Sequence, residues 1–227
     1  MARPFTASDD DILRAAATVM ARSGPGAFAL AEVANEVGLS RAAIILRFKS
    51  THDLKVTLLT KLVERFAAAL ETLPQSPGGD NLLRIAAFIG THGHSRENGA
   101  KFFANYFSSN VRHRDLLDLE VRRGEALDRA ISKVMPEGAI DHDSAVIAFR
   151  SHRTGSIVTW LSRDDTDSRR YLVSRTQDWL KRGGIPFSEQ LADELSASRS
   201  DSVSTKKAGS KSRRSRTART RKRAVRV

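Results

Sequence analysis

Arg41 and Arg47 stand on either side of the apolar run Ala42-Ala43-Ile44-Ile45-Leu46. A guanidinium is a planar fork of donors that can read the two acceptors of a guanine or clasp a phosphate, so this pair marks the chemistry to be explained. The surrounding residues place both arginines on a short helix. Ser40 can cap its N-terminus through a side-chain oxygen, and Gly38 falls where a preceding helix ends in a left-handed residue. In that preceding helix Leu30, Val33, Ala34 and Val37 repeat at three and four, which defines one buried face. Ile44 and Phe48 are the core anchors of the second helix, which is too short to be stable alone. Two short helices, a tight turn and an exposed face with two arginines suit insertion into a DNA major groove.

Such a pair must be held by neighbours. Residues 1–8 form a short arm with Arg3, and Ser8 followed by Asp9, Asp10 and Asp11 is a helix start, because acids in the first turn complement the helix dipole. This first helix runs to about Arg22 with Ile12, Ala16, Val19 and Met20 inward, and Gly24-Pro25-Gly26 breaks it. Ser50-Thr51-His52-Asp53 opens a fourth helix with an acid at its third position. That helix continues to about Leu73, with Leu54, Leu58, Leu62 and Phe66 on one stripe. Pro74 to Asp80 reads as a linker. Beyond it the spacing predicts helices over 82–93, 98–110, 113–135, 141–163 and 168–183, with a short one at 188–197, and no strand-like alternation. The fold class is all-α, without an internal repeat.

Composition narrows the function classes. The chain has 227 residues, 40% of them apolar and 28% charged, enough for a real core. It contains no cysteine, which excludes disulfides, thiolate zinc sites and cysteine nucleophiles. Residues after Met1 lack the apolar stretch of a signal peptide, and no run approaches the ~18 apolar residues of a membrane span. A cytoplasmic protein is expected, with no membrane partner. The net charge of +12 is concentrated in residues 196–227, where twelve Lys or Arg face one acid. The folded part is nearly neutral, and the tail of Ser, Thr, Ala, Lys and Arg reads as disordered.

The N-terminal pattern also carries a resemblance. Ile12-Leu13-x-Ala15-Ala16, then Gly24, Phe28 and Leu30, then Val33-Ala34-x-x-Val37-Gly38-Leu39-Ser40, and finally Phe48, Ser50 and Leu54, resemble the DNA-binding domain of TetR-family transcriptional regulators. The resemblance implies a three-helix helix-turn-helix domain over 1–54, its helix-turn-helix at about 29–48 and its fourth helix continuing to 73. A helical effector-binding and dimerisation domain over 74–195 and the tail over 196–227 follow. Carried over position by position, Ser40, Arg41, Ala42, Ile45, Leu46 and Arg47 lie on or beside the groove-facing surface. Lys49, Ser50, Thr51 and His52 lie near the DNA backbone, where free N–H groups at a helix start attract phosphate. Three positions depart from the family. A Tyr is usual at Ile45 and a Lys at Thr51, both phosphate contacts, and a Thr or Gly pair is common at Ala42 and Ala43. Ile45 and Leu46 either meet thymine methyls or are partly core, and a partly buried Ile45 is the favoured expectation.

For the second domain the resemblance implies a small-molecule effector of unknown identity and a homodimer formed by the last two long helices. Small residues at Ala148, Ser151, Gly155 and Thr159 allow close helix approach, with Trp160, Leu161, Trp179 and Leu180 able to extend an apolar seam. The same residues could equally pack within one chain. Phe88, Phe102, Phe103, Tyr106 and Phe107 either line an effector pocket or form ordinary core. His92, His94, His113, His142 and His152 show no ligand spacing, so structural or surface roles are expected and no metal or cofactor is assigned. No phosphate loop, nucleophile elbow or paired-carboxylate motif is present, so an enzyme is not expected.

The expected function is therefore a DNA-binding regulator, a dimeric repressor released by its effector, cytoplasmic and associated with the nucleoid. The alternative is a nucleoid-type or scaffold protein that holds double-stranded DNA mainly through its tail. A flexible polycation binds DNA by releasing counterions whatever the base sequence. Deleting residues 199–227 is expected to weaken binding to all duplexes alike and to flatten the salt dependence. Binding isotherms across a salt series check this, and equal slopes with and without the tail would sink it.

Overall fold

Polar side chains cap six of the nine helix starts that the computed structural model describes. It describes residues 7–24, 26–92, 113–138, 141–163 and 167–197. Among these are nine helices and no strand: α1 (Asp9–Ser23), α2 (Leu30–Val37), α3 (Arg41–Phe48), α4 (Thr51–Glu71), α5 (Gly79–His92), α6 (Arg114–Val134), α7 (His142–Leu161), α8 (Ser168–Arg182) and α9 (Glu189–Ser196). The Ser8 hydroxyl accepts from the Asp11 amide at 3.2 Å while the Asp11 carboxylate accepts from the Ser8 amide at 2.9 Å, a reciprocal box at the head of α1. Asp141, Asp167 and Ser188 cap α7, α8 and α9 from one side, each side chain accepting a single backbone amide of the first turn. No helix among the described residues is long and apolar enough to cross a membrane.

The helices bury two separate apolar clusters. The first unites Ile12, Ala16, Val19 and Met20 of α1 with Leu30 and Val33 of α2, Ile44 and Phe48 of α3, and Leu54 and Leu58 of α4. The second gathers Leu70 of α4, Leu82, Leu83 and Ile85 of α5, Leu127 and Ile131 of α6, Phe149 of α7, and Val173 and Leu180 of α8. The expected stripe along α4 is thus split. Leu54 and Leu58 face the first cluster, Leu62 is 39% exposed, and Phe66 packs on the second beside Phe88, with ring centroids 5.7 Å apart. Ion pairs brace the smaller cluster: Arg22 reaches Glu32 and Glu36, each at 2.9 Å, and Lys61 holds Asp10 at 2.9 Å.

Two helix boundaries differ from the periodic pattern. α4 stops at Glu71 rather than about Leu73, because the chain must leave the helix before Pro74. α5 starts at Gly79, inside the stretch read as linker, where the Gly78 amide donates to the Val134 carbonyl at 2.9 Å and fixes the entry of the helix. The helix predicted at 98–110 and the basic tail lie outside the described residues.

α5 and α8 cross at Gly90. A Cβ there would lie 2.4 Å from the Arg169 Cα, and the Ser168 hydroxyl donates to the Gly90 carbonyl at 2.7 Å. Gly90→Ala should therefore cost about 1–3 kcal/mol despite alanine's better helix propensity, because two backbones must separate. Gly124→Ala in α6, where a Cβ meets nothing within 4 Å, should instead stabilise by roughly 0.5–1 kcal/mol. Urea unfolding of the two variants reads the opposite signs.

Candidate nucleic-acid interface

The turn between α2 and α3 sets the angle of the site. Gly38 adopts φ 65° and ψ 30°, and the Leu39 amide returns to the Ala34 carbonyl at 3.0 Å, closing α2. Ser40 then accepts from the Ala43 amide at 3.1 Å and opens α3. Ile44 is fully buried and Phe48 nearly so, which fastens α3 to the cluster below. With those anchors in place, Ser40, Arg41, Ala42, Ile45 and Leu46 all face outward.

Exposure separates the two doubtful apolar residues. Leu46 is 87% exposed, a value without a packing role, so its side chain is offered to whatever docks on α3. Ile45 is 38% exposed, more open than the expected half-buried state but still partly covered. The two arginines also part company. Arg41 is exposed and has no side-chain partner among the described residues. The Arg47 guanidinium donates to the Ala7 carbonyl and lies 3.4 Å from Asp9, so it ties the N-terminal arm to the end of α3.

The corner between α3 and α4 is strained. Lys49 has φ 63° and ψ −47°, a positive-φ non-glycine residue, and the Ser50 amide donates to the Phe48 carbonyl at 2.7 Å. This is a γ-turn of the rarer hand, which L-residues adopt at a cost. It turns the chain sharply enough that Ser50 caps α4, accepting from the Asp53 amide at 3.0 Å. Lys49, Ser50 and Thr51 therefore sit at one corner beside the exposed face of α3.

His52 has a second allegiance. Its Nε2 lies 2.6 Å from the Asp115 Oδ2 at the start of α6, and its ring is 4.9 Å from that of His113. Asp115 titrates below the ordinary carboxylate range: partial desolvation opposes ionisation, but the hydrogen bonds from His52 and the Leu116 amide outweigh it. Neither His113 nor Asp115 was singled out with His52 by spacing, since the three meet only when α4 packs on α6. Their sole sequence trace is the short His113-Arg114-Asp115 run.

Residues 12–55 match the model of "Bacterial regulatory proteins, tetR family". Over those residues the chain is similar to the DNA-binding domain of that family. No curated protein sequence matches it. Solved structures share the fold at low identity. A transcriptional regulator from Rhodococcus sp. Rha1 is 15% identical with a TM-score of 0.63, covering 80% of this chain and 100% of the relative. The regulator FadR from Bacillus subtilis, solved with stearoyl-CoA, is 18% identical with a TM-score of 0.57, covering 79% and 100%. AmtR from Mycobacterium smegmatis is 20% identical with a TM-score of 0.53, covering 87% and 96%.

In the helical body the aromatic group is only partly on view. Phe88 is half-buried against Phe66, while Phe102, Phe103, Tyr106 and Phe107 lie outside the described residues, as does His94. A surface groove bounded by Pro74, Arg84 and Phe187 contains none of these aromatics. His142 and His152 are held structurally, by the Ser132 hydroxyl at 2.8 Å and the Arg175 carbonyl at 2.9 Å.

The strained corner yields a test. Lys49→Gly should stabilise the protein by roughly 0.5–1 kcal/mol by removing the positive-φ penalty, whereas Lys49→Val should destabilise it by more than about 1 kcal/mol. Thermal unfolding of both variants measures the difference.

Proposed function

We propose that this chain is a TetR-family transcriptional regulator whose α3 reads the major groove of an operator, with Arg41 as its base- or phosphate-reading guanidinium. The observation that carries this is the outward face of α3, where Arg41, with no side-chain partner among the described residues, and a bare Leu46 stand together on a helix anchored by Ile44 and Phe48. Arg47 orders the arm and supports the helix end, so selectivity rests on Arg41 and Leu46, while the backbone N–H groups at the start of α4 hold phosphate. Lys49, Ser50 and Thr51 grip phosphate from the adjoining corner. The tail adds sequence-independent affinity. The nucleoid-type alternative is disfavoured because the family match falls on the head.

Two features support a dimer that responds to an effector. Ala148, Ser151, Gly155 and Thr159 form an exposed strip on α7, flanked by Ile147 and Val158 at 54% and 50% exposure. Trp160 and Leu180 face the chain's own interior instead, so the sequence-predicted seam divides into an open strip and an internal contact. A second copy on that strip pairs two heads for two half-sites. Inside the body, Arg153 is held by burial, with Arg123 and Arg150 nearby, at a pKa of about 10, and its Nε has no hydrogen-bond partner among the described residues. An effector with an acceptor group would satisfy it. The stearoyl-CoA bound by the Bacillus subtilis relative supports a small organic effector. Release of DNA then follows from differential affinity of that effector for two head spacings. A cytoplasmic location on the nucleoid goes with this reading.

Duplexes selected by the purified chain from a random pool test the reading. A recurrent site with two-fold symmetry is the expected result, and enrichment without any shared sequence would overturn it. Arg41→Ala should lower affinity for the selected site by about 1–3 kcal/mol while changing unfolding stability by less than about 0.5 kcal/mol.

A further inference from the structure

The cluster at the joint between α4 and α6 has a use that DNA binding does not absorb. His52 comes from the first turn of α4, and His113 and Asp115 from the start of α6. One ligand atom from each lies within 4.8 Å of the other two. We propose that His52, His113 and Asp115 form a site for a divalent transition-metal ion of the zinc class, which fastens the DNA-binding head to the helical body.

Four observations carry the assignment. Two imidazoles and a carboxylate are the donor set that zinc, cobalt and nickel prefer, whereas magnesium and calcium take oxygen ligands. Asp115 is already oriented, because its Oδ1 accepts from the Leu116 amide at 2.9 Å and its Oδ2 is turned toward His52. An outer hydrogen bond of this kind fixes the direction of a ligating group. His113 occupies the N-cap position of α6 without making a cap bond, and its ring has no hydrogen-bond partner among the described residues. The site is also accessible: the His52 and Asp115 side chains are 38% and 48% exposed. Metal–nitrogen bonds of ~2.0–2.1 Å need the ligand atoms somewhat farther apart than the 2.6 Å hydrogen bond, and half-exposed side chains can open by that amount. Water completes the coordination.

The surroundings permit a cation. Arg114, the nearest base in sequence, is turned to Asp118 at 3.1 Å. The positive ends of α4 and α6 oppose a cation, and the formal charge of Asp115 offsets them. Because one ligand sits on the head and two on the body, loading the site fixes the angle between them. That consequence for DNA binding rests on the regulator reading; the metal site itself does not.

The test uses tag-free full-length protein. Titration with Co2+ should give visible absorption bands of low-symmetry coordination, and Zn2+ should displace it at one ion per chain. His113→Ala and Asp115→Asn should each weaken binding by about tenfold or more, while His142→Ala leaves it unchanged. Zn2+ should raise the unfolding temperature of the wild type and not of His113→Ala, whose metal-free stability reports that it folds. Absence of bands, or binding that survives both variants, would overturn the site. In the second arm, affinity for a duplex selected in metal-free buffer should change by about fivefold or more on Zn2+ loading, and His113→Ala should remove that response. An unmoved affinity with the site demonstrably loaded would overturn the fastening. A chain that selects no duplex refutes the regulator reading, and the cobalt bands still decide the metal site.

Discussion

α4 belongs to two cores at once, and the rest of the molecule depends on that. Its first turns present Leu54 and Leu58 to the small N-terminal cluster, and its last turn presents Leu70 to the large one. Between them Leu62 is left 39% exposed, a helix turn that serves neither. A rigid helix cannot tilt at one end and stay put at the other, so any shift in the body is felt at Ser50 and Thr51. The direct contacts of α4 with α6 make this coupling physical rather than merely spatial, with the His52–Asp115 bond at its DNA-facing end.

The recognition helix, by contrast, has almost no stability of its own. α3 spans only Arg41–Phe48, well below the length at which an isolated helix survives in water. It is held from within by Ile44 and Phe48, from the front by the Ser40 cap, and from behind by a strained Lys49. Arg47 adds a strut to the arm. This division leaves Arg41 and Leu46 without structural duty among the described residues, a condition that suits the DNA-contact role proposed for them. An unusually apolar α3 is therefore compatible with recognition, since the apolar residue most exposed is also the one the fold does not need.

In the body, polar groups are sealed in with incomplete satisfaction. The Arg153 Nε, the Arg169 Nε and the Asp128 Oδ1 are buried without hydrogen-bond partners among the described residues. Such groups destabilise a closed core. Their location in the helices that carry the large apolar cluster makes the body better suited to rearrangement than a fully satisfied core of the same size.

Much of this was legible before any coordinates. Ser8 with Asp11, Gly38, Ser40, Ser50 and Asp141 act locally, through hydrogen bonds within a few residues, so their types and spacing determine where helices start and stop. The buried faces of α1 and α2 follow from apolar periodicity for the same reason. Tertiary structure alone decided the rest. Arg41 and Arg47 look equivalent in the chain, yet a contact to Ala7, forty positions away, assigns them different work. His52 has neither His113 nor Asp115 near it in the chain, and only the packing of α6 on α4 brings them together. The early start of α5 depends on the Val134 carbonyl, and the split of the dimer seam on which side of α7 the body covers. Local hydrogen bonds and periodicity are written in neighbouring residues; partners supplied by distant helices exist only once the chain has packed.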